Sequence, residues 1–246
     1  MMWKSKAAVF LAIVVVSSLA PGAQAQDEWK FGIGTGISSF SLDGDIGFAG
    51  PMAGVIFSVD LDNSDTQDLF ESGFGLGGYA AKGKWQILFS AGTATLEDTS
   101  GLLLASWDRT QIELAGVYNF ATTGKHRWGV LVGARNTDHE WTFTTATLTA
   151  SIDESWTDGL VGITHAVPFA QKWSWANRFD AGFGESEESF LVSSTVNRHF
   201  GQHWSVSLNL KVSSTEFGDL AEAGNSDFYL YDVEEPAFGL GFLYHW

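Results

Sequence analysis

Large apolar residues alternate with small or polar ones at the C-terminal end of the chain. Phe238, Leu240, Phe242, Tyr244 and Trp246 occupy every second position, and most residues between them are small or polar. A period of two puts the two sets of side chains on opposite faces of an extended segment. The pattern predicts a β-strand with one apolar face. Such a strand fits a membrane barrel or the edge of a soluble sandwich.

The same alternation recurs along the chain, and a tryptophan opens it each time. Four of these tryptophans follow a short polar or basic turn, and the first lies nearest the N-terminus. A tryptophan ring has an apolar body and a polar N–H, so rings at one level of a sheet are typical of a membrane–water interface. We therefore predict an interfacial girdle formed by Trp29, Trp85, Trp128, Trp173, Trp204 and Trp246.

Five of these tryptophans open an ascending strand and Trp246 closes the chain, and five ascending strands require five that descend. The candidates are 72–81, 107–120, 157–167, 189–199 and 236–246. Short turns at 81–84, 121–127, 168–172 and 200–203 contrast with longer acidic segments at 41–71, 97–106, 136–156 and 214–235. We predict an all-β, antiparallel up-and-down barrel of about ten strands, with eight or twelve as alternatives. Twelve would require a further strand near 226–233, and segment 41–71 is expected to fold over or into the barrel mouth.

The N-terminal segment has the features of a secretory signal peptide. Lys4 and Lys6 precede the apolar run from Ala7 to Val16, and Ala23-Gln24-Ala25 supplies a small-x-small cleavage site. The apolar run is shorter than the roughly 20 residues that a membrane-spanning helix needs. We expect a signal peptide over 1–25 and one barrel domain over 26–246.

Composition narrows the classes of partner and chemistry. The chain has no cysteine, which excludes disulfides, thiolate metal sites and a lipoprotein anchor. It carries 13 basic and 29 acidic side chains, a formal net charge of −16. Nucleic acid is therefore not an expected partner, because phosphate binding depends on Lys and Arg.

The C-terminal strand, with its final aromatic residue, resembles the closing strand of bacterial outer-membrane β-barrels. This resemblance implies location in the cell outer membrane, contact with its lipid and lipopolysaccharide, and recognition of the last strand by the outer-membrane assembly machinery. Short turns would then face the periplasm and longer loops the exterior. A membrane chain of strands must close into a barrel, because an open edge leaves unpaired backbone groups in hydrocarbon.

A second resemblance covers about the first third of the mature chain. The segments Ser41–Gly47, Val59–Asp62, Asp68–Phe70 and Lys82–Trp85 are similar to a group of uncharacterised bacterial outer-membrane proteins. That group brings no assigned activity.

Residues that alternate with the apolar set are expected inside the barrel. They include a group of charged side chains that we predict to form a lumen network: Lys30, Arg109, Glu113, Arg135, Arg178, Asp180 and Lys211. Gln111 shares this inner face. Such charges can neutralise one another in a filled barrel, or they can line a narrow pore that prefers anions.

Candidate catalytic and metal-binding residues are few. The lipid A deacylases and outer-membrane phospholipases pair His with Ser two positions apart, and neither His165 nor His199 has such a partner. Asp138-His139 places an acid beside a histidine, as omptin proteases require at their rim, but no second Asp pair stands opposite. His139 is therefore predicted to be a solvated loop residue. Asp60, Asp62 and Asp65 carry oxygen ligands, but they do not follow the order of a calcium loop.

We therefore expect a non-enzymatic outer-membrane barrel with a structural or surface-interaction role, without catalytic residues, cofactor or metal. A narrow passive pore for small, anionic solutes is the alternative. A soluble periplasmic β-protein and a barrel-type enzyme are further alternatives. The sequence leaves the ligand, the state of the lumen and the oligomeric state open.

Overall fold

The computed structural model describes residues 28–49, 55–100, 103–218, 225 and 227–246. The predicted signal peptide lies outside the described residues. Twelve strands and one helix follow in chain order: β1 (Lys30–Phe40), β2 (Leu42–Phe48), β3 (Val55–Leu61), α1 (Asn63–Leu69), β4 (Phe70–Lys82), β5 (Trp85–Ser100), β6 (Leu103–Thr123), β7 (His126–Thr144), β8 (Thr149–Ala170), β9 (Trp173–Gly184), β10 (Glu188–Phe200), β11 (Trp204–Phe217) and β12 (Tyr229–His245). Within these residues, no helix is long and apolar enough to cross a membrane.

Ten of the strands close into an antiparallel barrel. The order is β1-β4-β5-β6-β7-β8-β9-β10-β11-β12, and β12 pairs with β1 to complete the ring. The predicted fold class and strand number are thus confirmed, and all five descending strands are present, four of them longer than predicted at both ends. The closed ring, with an apolar outer face, is not the open sheet of a soluble sandwich.

Turns 83–84, 124–125, 171–172 and 201–203 join strands at one end of the barrel, which we call the turn end. The opposite end, where several strands extend furthest, is the loop end. The turns around Gly83, Gly124 and Gly201 each have a glycine with φ between 58° and 63°. This left-handed conformation is strained for residues with a Cβ atom, which explains glycine at these three tight turns. The turn end is expected to face the periplasm.

The predicted loops 97–106 and 136–156 are largely strand, and 214–235 is strand over 214–217 and 229–235. β5 and β6, β7 and β8, and β11 and β12 continue as ladders well beyond the apolar band. Segment 41–71 contains β2, β3 and α1, and β2 continues β1 beyond Ser41 by pairing with the first part of β12. β3 then pairs with β2. The described residues of segment 41–71 thus extend the sheet at the loop end, where the sequence predicted a segment that folds over or into the barrel mouth.

Helix α1 covers a gap in the barrel wall. β1 and β4 pair only from Lys30–Ala81 to Thr35–Leu76, and beyond this point the two strands diverge. The Asp62 carboxylate caps the helix by accepting from the N–H groups of Ser64 and Asp65. Thr66 Oγ1 then donates to the carbonyl of Phe40 at 2.5 Å, which fixes the helix to β1.

Candidate functional site

Four charged residues form a closed network in the middle of the lumen. Glu113 on β6, Arg135 on β7, and Arg178 and Asp180 on β9 are all buried. Arg135 Nη2 lies 3.0 Å from Glu113 Oε2 and 3.2 Å from Asp180 Oδ1. Arg178 contacts the same two carboxylates from the other side, through Nη1 and Nε. Each arginine thus bridges both acids, and the two positive and two negative charges sum to zero.

The other predicted lumen residues take different positions. Arg109 pairs with Glu235 on β12, whose two carboxylate oxygens are each 2.6 Å from Nη1. Lys211 lies on β11 beside β12 and is half-buried. Lys30 is the first residue of β1 at the turn end, and neither lysine makes a salt bridge within the described part of the chain. Gln111 donates to Thr137 Oγ1 at 3.1 Å.

Glu235 is an inner acid that was not predicted. Strand β12 was predicted to begin at Pro236, whereas it begins at Tyr229. The inner carboxylates are therefore more numerous than the two predicted, and Asp158 adds another buried one that accepts from the N–H of Ser186 at 3.0 Å. The period of two from Tyr229 to Glu235 was the signal that could have found Glu235.

His139 is not a solvated loop residue. It lies on the inner face of β7 with 0% of its surface exposed, so that prediction is wrong. Its Nδ1 is 2.8 Å from Tyr229 Oη, and its ring packs edge-on against Trp107, Trp156 and Tyr231. Trp141 Nε1 also donates to Tyr229 Oη. Beyond the membrane band, water lies outside the barrel, so aromatic side chains turn inward.

Below and above the charged network, two apolar layers fill the lumen. The layer toward the turn end consists of Tyr79, Leu88, Ala115, Val117, Leu131, Leu160 and Leu243. The layer toward the loop end is aromatic and includes Trp107, Trp156, Tyr229 and Tyr231. A cavity of about 10 Å³ beside Arg178 and Val117 is large enough for roughly one water molecule. Glycines of β1 make room for this filling, because a Cβ on Gly32 would meet the Tyr79 ring at 2.4 Å.

A chain of hydrogen bonds near the turn end was not predicted. His245 joins Tyr79 Oη through Nδ1 at 2.8 Å and Ser205 Oγ through Nε2 at 2.6 Å. His199 continues the chain, with Nδ1 2.7 Å from Ser205 Oγ and Nε2 3.0 Å from Ser174 Oγ. A serine between imidazoles has the partners of an activated nucleophile. Ser205 is only 2% exposed, however, and the side chains of this chain hydrogen-bond to one another.

The predicted girdle tryptophans all have exposed rings, and five of them adjoin the turn end of a strand. Trp29 and Trp246 stack on either side of Phe31, and Trp204 packs edge-on against Tyr244. The exposed apolar residues Ile163, Phe179, Leu208, Leu240 and Val132 continue this outer face toward the loop end. Within the described residues, no group of His, Asp or Glu side chains could hold a metal ion.

Solved structures with a similar fold are bacterial outer-membrane proteins. No family model matches the chain, and no curated protein matches its sequence. The outer membrane protease OmpT from Escherichia coli superposes with a TM-score of 0.54 at 8% identity, covering 93% of this chain and 100% of that one. The fold is that of an outer-membrane β-barrel. With its exposed apolar band, this fold places the protein in the cell outer membrane.

Two further solved structures are more distant. The translocator domain of autotransporter NalP from Neisseria meningitidis gives a TM-score of 0.46 at 12% identity, covering 90% of each chain. Ail, the attachment invasion locus protein of Yersinia pestis, gives 0.41 at 11% identity, covering 89% of this chain and 99% of that one. At such identities the likeness concerns the fold alone. The resemblance to a group of uncharacterised outer-membrane proteins stays a prediction.

Proposed function

We propose that the protein is a non-conducting, non-enzymatic outer-membrane scaffold whose loop end interacts with other molecules. The filled lumen is the observation that carries this proposal. An apolar layer, a charged network and an aromatic layer succeed one another along the barrel axis. A pore needs a continuous water path, and three successive layers of buried side chains along the axis favour a closed lumen.

The inner charges support a structural role for the network. In the four-residue group both carboxylates are engaged by both arginines, so no carboxylate is left to guide a permeating ion. Removing one partner of a buried ion pair costs about 3–5 kcal/mol, so such groups hold strands in register as long as they stay complete. The network is therefore proposed to fix β6, β7 and β9 against one another, which makes a narrow anion pore the less favoured alternative.

The inner histidines do not form a site open to a substrate. His139 is enclosed by aromatic rings, and its Nδ1 partner is a tyrosine hydroxyl and not a carboxylate. Ser205 is enclosed between two imidazoles. The protease activity named for OmpT has no support here beyond the shared fold. These contacts favour a non-enzymatic role.

The surface role is proposed from the sheet extension at the loop end. The β2–β3 hairpin is paired on one side only in the described part of the chain, and Val55, Ile56 and Phe57 of β3 are exposed. An exposed edge strand presents unpaired backbone groups to a partner. We propose that the outer face contacts lipopolysaccharide and outer-leaflet lipid, and that the outer-membrane assembly machinery recognises β12.

Single-channel recording in planar bilayers tests the scaffold. Wild-type protein, refolded to its heat-modifiable form, is expected to give no steady conductance steps. The control is a triple variant, Leu131→Ala with Arg178→Ala and Trp156→Ala, which removes one large side chain from each layer. If it folds, it is expected to conduct. A stable, ion-selective channel formed by the wild type would contradict the scaffold proposal and favour the narrow pore.

The non-enzymatic role is tested with a fluorophosphonate probe, which labels activated serine residues. Folded wild type is expected to remain unlabelled, because Ser205 is enclosed. Labelling that disappears in Ser205→Ala would assign a hydrolase instead.

A further inference from the structure

An apolar groove lies on the outer face of the barrel beside α1. Its volume is about 370 Å³, which is within the range of roughly 300–1,000 Å³ that small-molecule sites occupy. The groove runs across β10, β11 and β12, and its lining includes Asn63, Val192, Leu210, Val212, Pro236 and Phe238. Val192, Leu210 and Phe238 belong to the exposed lipid-facing set. The groove is therefore continuous with the hydrocarbon of the outer leaflet.

The position of α1 gives this groove a polar edge. Ser39 belongs to the outward-facing residues of β1, yet it is 6% exposed because α1 covers it. Ser39 Oγ donates to Asn63 Oδ1 at 3.0 Å, and Gln67 Nε2 donates to Ser39 Oγ at 3.1 Å. The Asn63 carbonyl oxygen is thus occupied, and Asn63 brings its NH₂ donor to the lining of the groove. A hydrogen-bond donor beside an apolar surface suits an amphiphile.

Two rows of outward-facing carboxylates lie directly beyond the groove. The groove row contains Val212 paired with Val192 and Pro236. The next row outward contains Glu234, Asp43 and Asp60 in successive strands, and the row after it contains Glu188, Glu216, Asp232 and Asp45. Same-face residues of successive rows are about 7 Å apart. The nearer row thus lies within the screening length of about 8 Å at physiological salt.

This arrangement of charge calls for a cationic partner. Like charges directly opposite one another destabilise a sheet, and here Glu216 faces both Glu188 and Asp232. The groove lining also includes Lys211, which belongs to the inward-facing set of β11. The remaining positions of both rows are Phe190, Ser214 and Ser58, so no basic side chain stands among these carboxylates. The described acids do not converge into a metal-binding group. An organic cation spread over several carboxylates fits better than a single ion.

We infer that the groove and the two carboxylate rows form one binding site for an outer-leaflet amphiphile with an acyl chain and a cationic, amine-bearing head group. The chain fills the groove between Asn63 and Val192, and the amine lies at Glu234 and Asp43. A groove of this volume holds a slender chain and not a peptide. The site is independent of whether the lumen conducts, so its failure would leave the scaffold proposal unchanged.

Binding of dodecyl probes to the folded protein in a non-ionic detergent tests the site by native mass spectrometry. Dodecylammonium is expected to bind as one molecule, at least tenfold more tightly than dodecyl sulfate. Val212→Trp fills the groove and is expected to weaken dodecylammonium at least tenfold. The matched control, Ile163→Trp, places the same ring on the lipid-facing side of β8 and is expected to leave binding unchanged.

Charge neutralisation separates the head-group contribution from that of the groove. In the triple variant Asp43→Asn, Asp232→Asn, Glu234→Gln, the preference for dodecylammonium over dodecyl sulfate is expected to fall at least fivefold, while binding of uncharged dodecanol is retained. Equal binding of both charged probes to wild type would overturn the inference. So would dodecylammonium binding that Val212→Trp does not change. Polylysine that binds wild type and Val212→Trp alike, without any dodecylammonium binding, would assign the surface to a basic peptide instead.

Discussion

Replacing Asp180 with Asn removes one of the two carboxylates that hold Arg135 and Arg178 in the barrel. Asp180 is 0% exposed and accepts from Arg178 Nε and Arg135 Nη2. A hydrogen bond to a charged group contributes about 1.5–3 kcal/mol, and an asparagine directs an NH₂ group toward one of the two guanidinium groups. Glu113 alone would then face two buried arginines. We expect the free energy of unfolding to fall by about 3–5 kcal/mol.

Urea titration of the protein in lipid vesicles, followed by tryptophan fluorescence and gel mobility, measures this loss. Asp153→Asn is the matched control, because Asp153 is exposed on β8 outside the membrane band. Such a surface change is expected to stay within about 0.5 kcal/mol. Adding Arg135→Gln to Asp180→Asn should recover part of the loss, since a positive charge without its partner is then removed. An Asp180→Asn loss below about 1 kcal/mol would show that the network does not stabilise the barrel.

Three further variants test the outer face, the closing seam and the packed lumen. Leu208→Arg places a charge on the lipid-facing side, and we expect a loss of about 2–4 kcal/mol near the bilayer midplane, read as a lower folded fraction in vesicles. Deleting Trp246 removes two backbone hydrogen bonds with Phe31, of 3.0 and 3.1 Å, and folded protein in isolated outer membranes should decrease while periplasmic protein increases. Gly34→Ala brings a Cβ within 2.3 Å of a backbone oxygen and should lower the urea midpoint, whereas Gly116→Ala, with 3.8 Å of space, should not.

Much of the fold could be predicted because the lipid bilayer imposes a simple rule on outward-facing positions. Apolar residues at every second place mark the outer face, as in Trp85, Ile87 and Phe89, and these positions are exposed in the structure. The rule changes where the strands leave the membrane. At Trp141 and Trp156 the apolar side chains point inward and polar ones outward, so the alternation continues with its polarity reversed. That reversal made 136–156 resemble a loop and placed His139 in solvent.

The lumen network was predictable residue by residue but not pair by pair. Period two identified Glu113, Arg135, Arg178 and Asp180 as inner residues, and the structure brings these four together. The partner of Arg109 could not be found this way, because Glu235 reaches it across the lumen from a strand that is not adjacent in the ring. Contacts across a barrel depend on its diameter and on the tilt of its strands, and neither can be read from the alternation along one strand.

The gap between β1 and β4 gives the barrel a preferred line of opening. Elsewhere in the described residues, adjacent strands of the ring pair along most of their length, interrupted only by local register shifts in three ladders. Even the seam between β1 and β12 pairs from Gly32–His245 to Phe40–Ala237. Between β1 and β4 the ladder stops at Thr35–Leu76, and side-chain hydrogen bonds from a seven-residue helix replace it. Unfolding should therefore begin with the separation of β1 from β4, while β1 stays paired with β12. The weakest contact in the ring is then between β1 and β4, and not at the seam where the first and last strands of the chain meet.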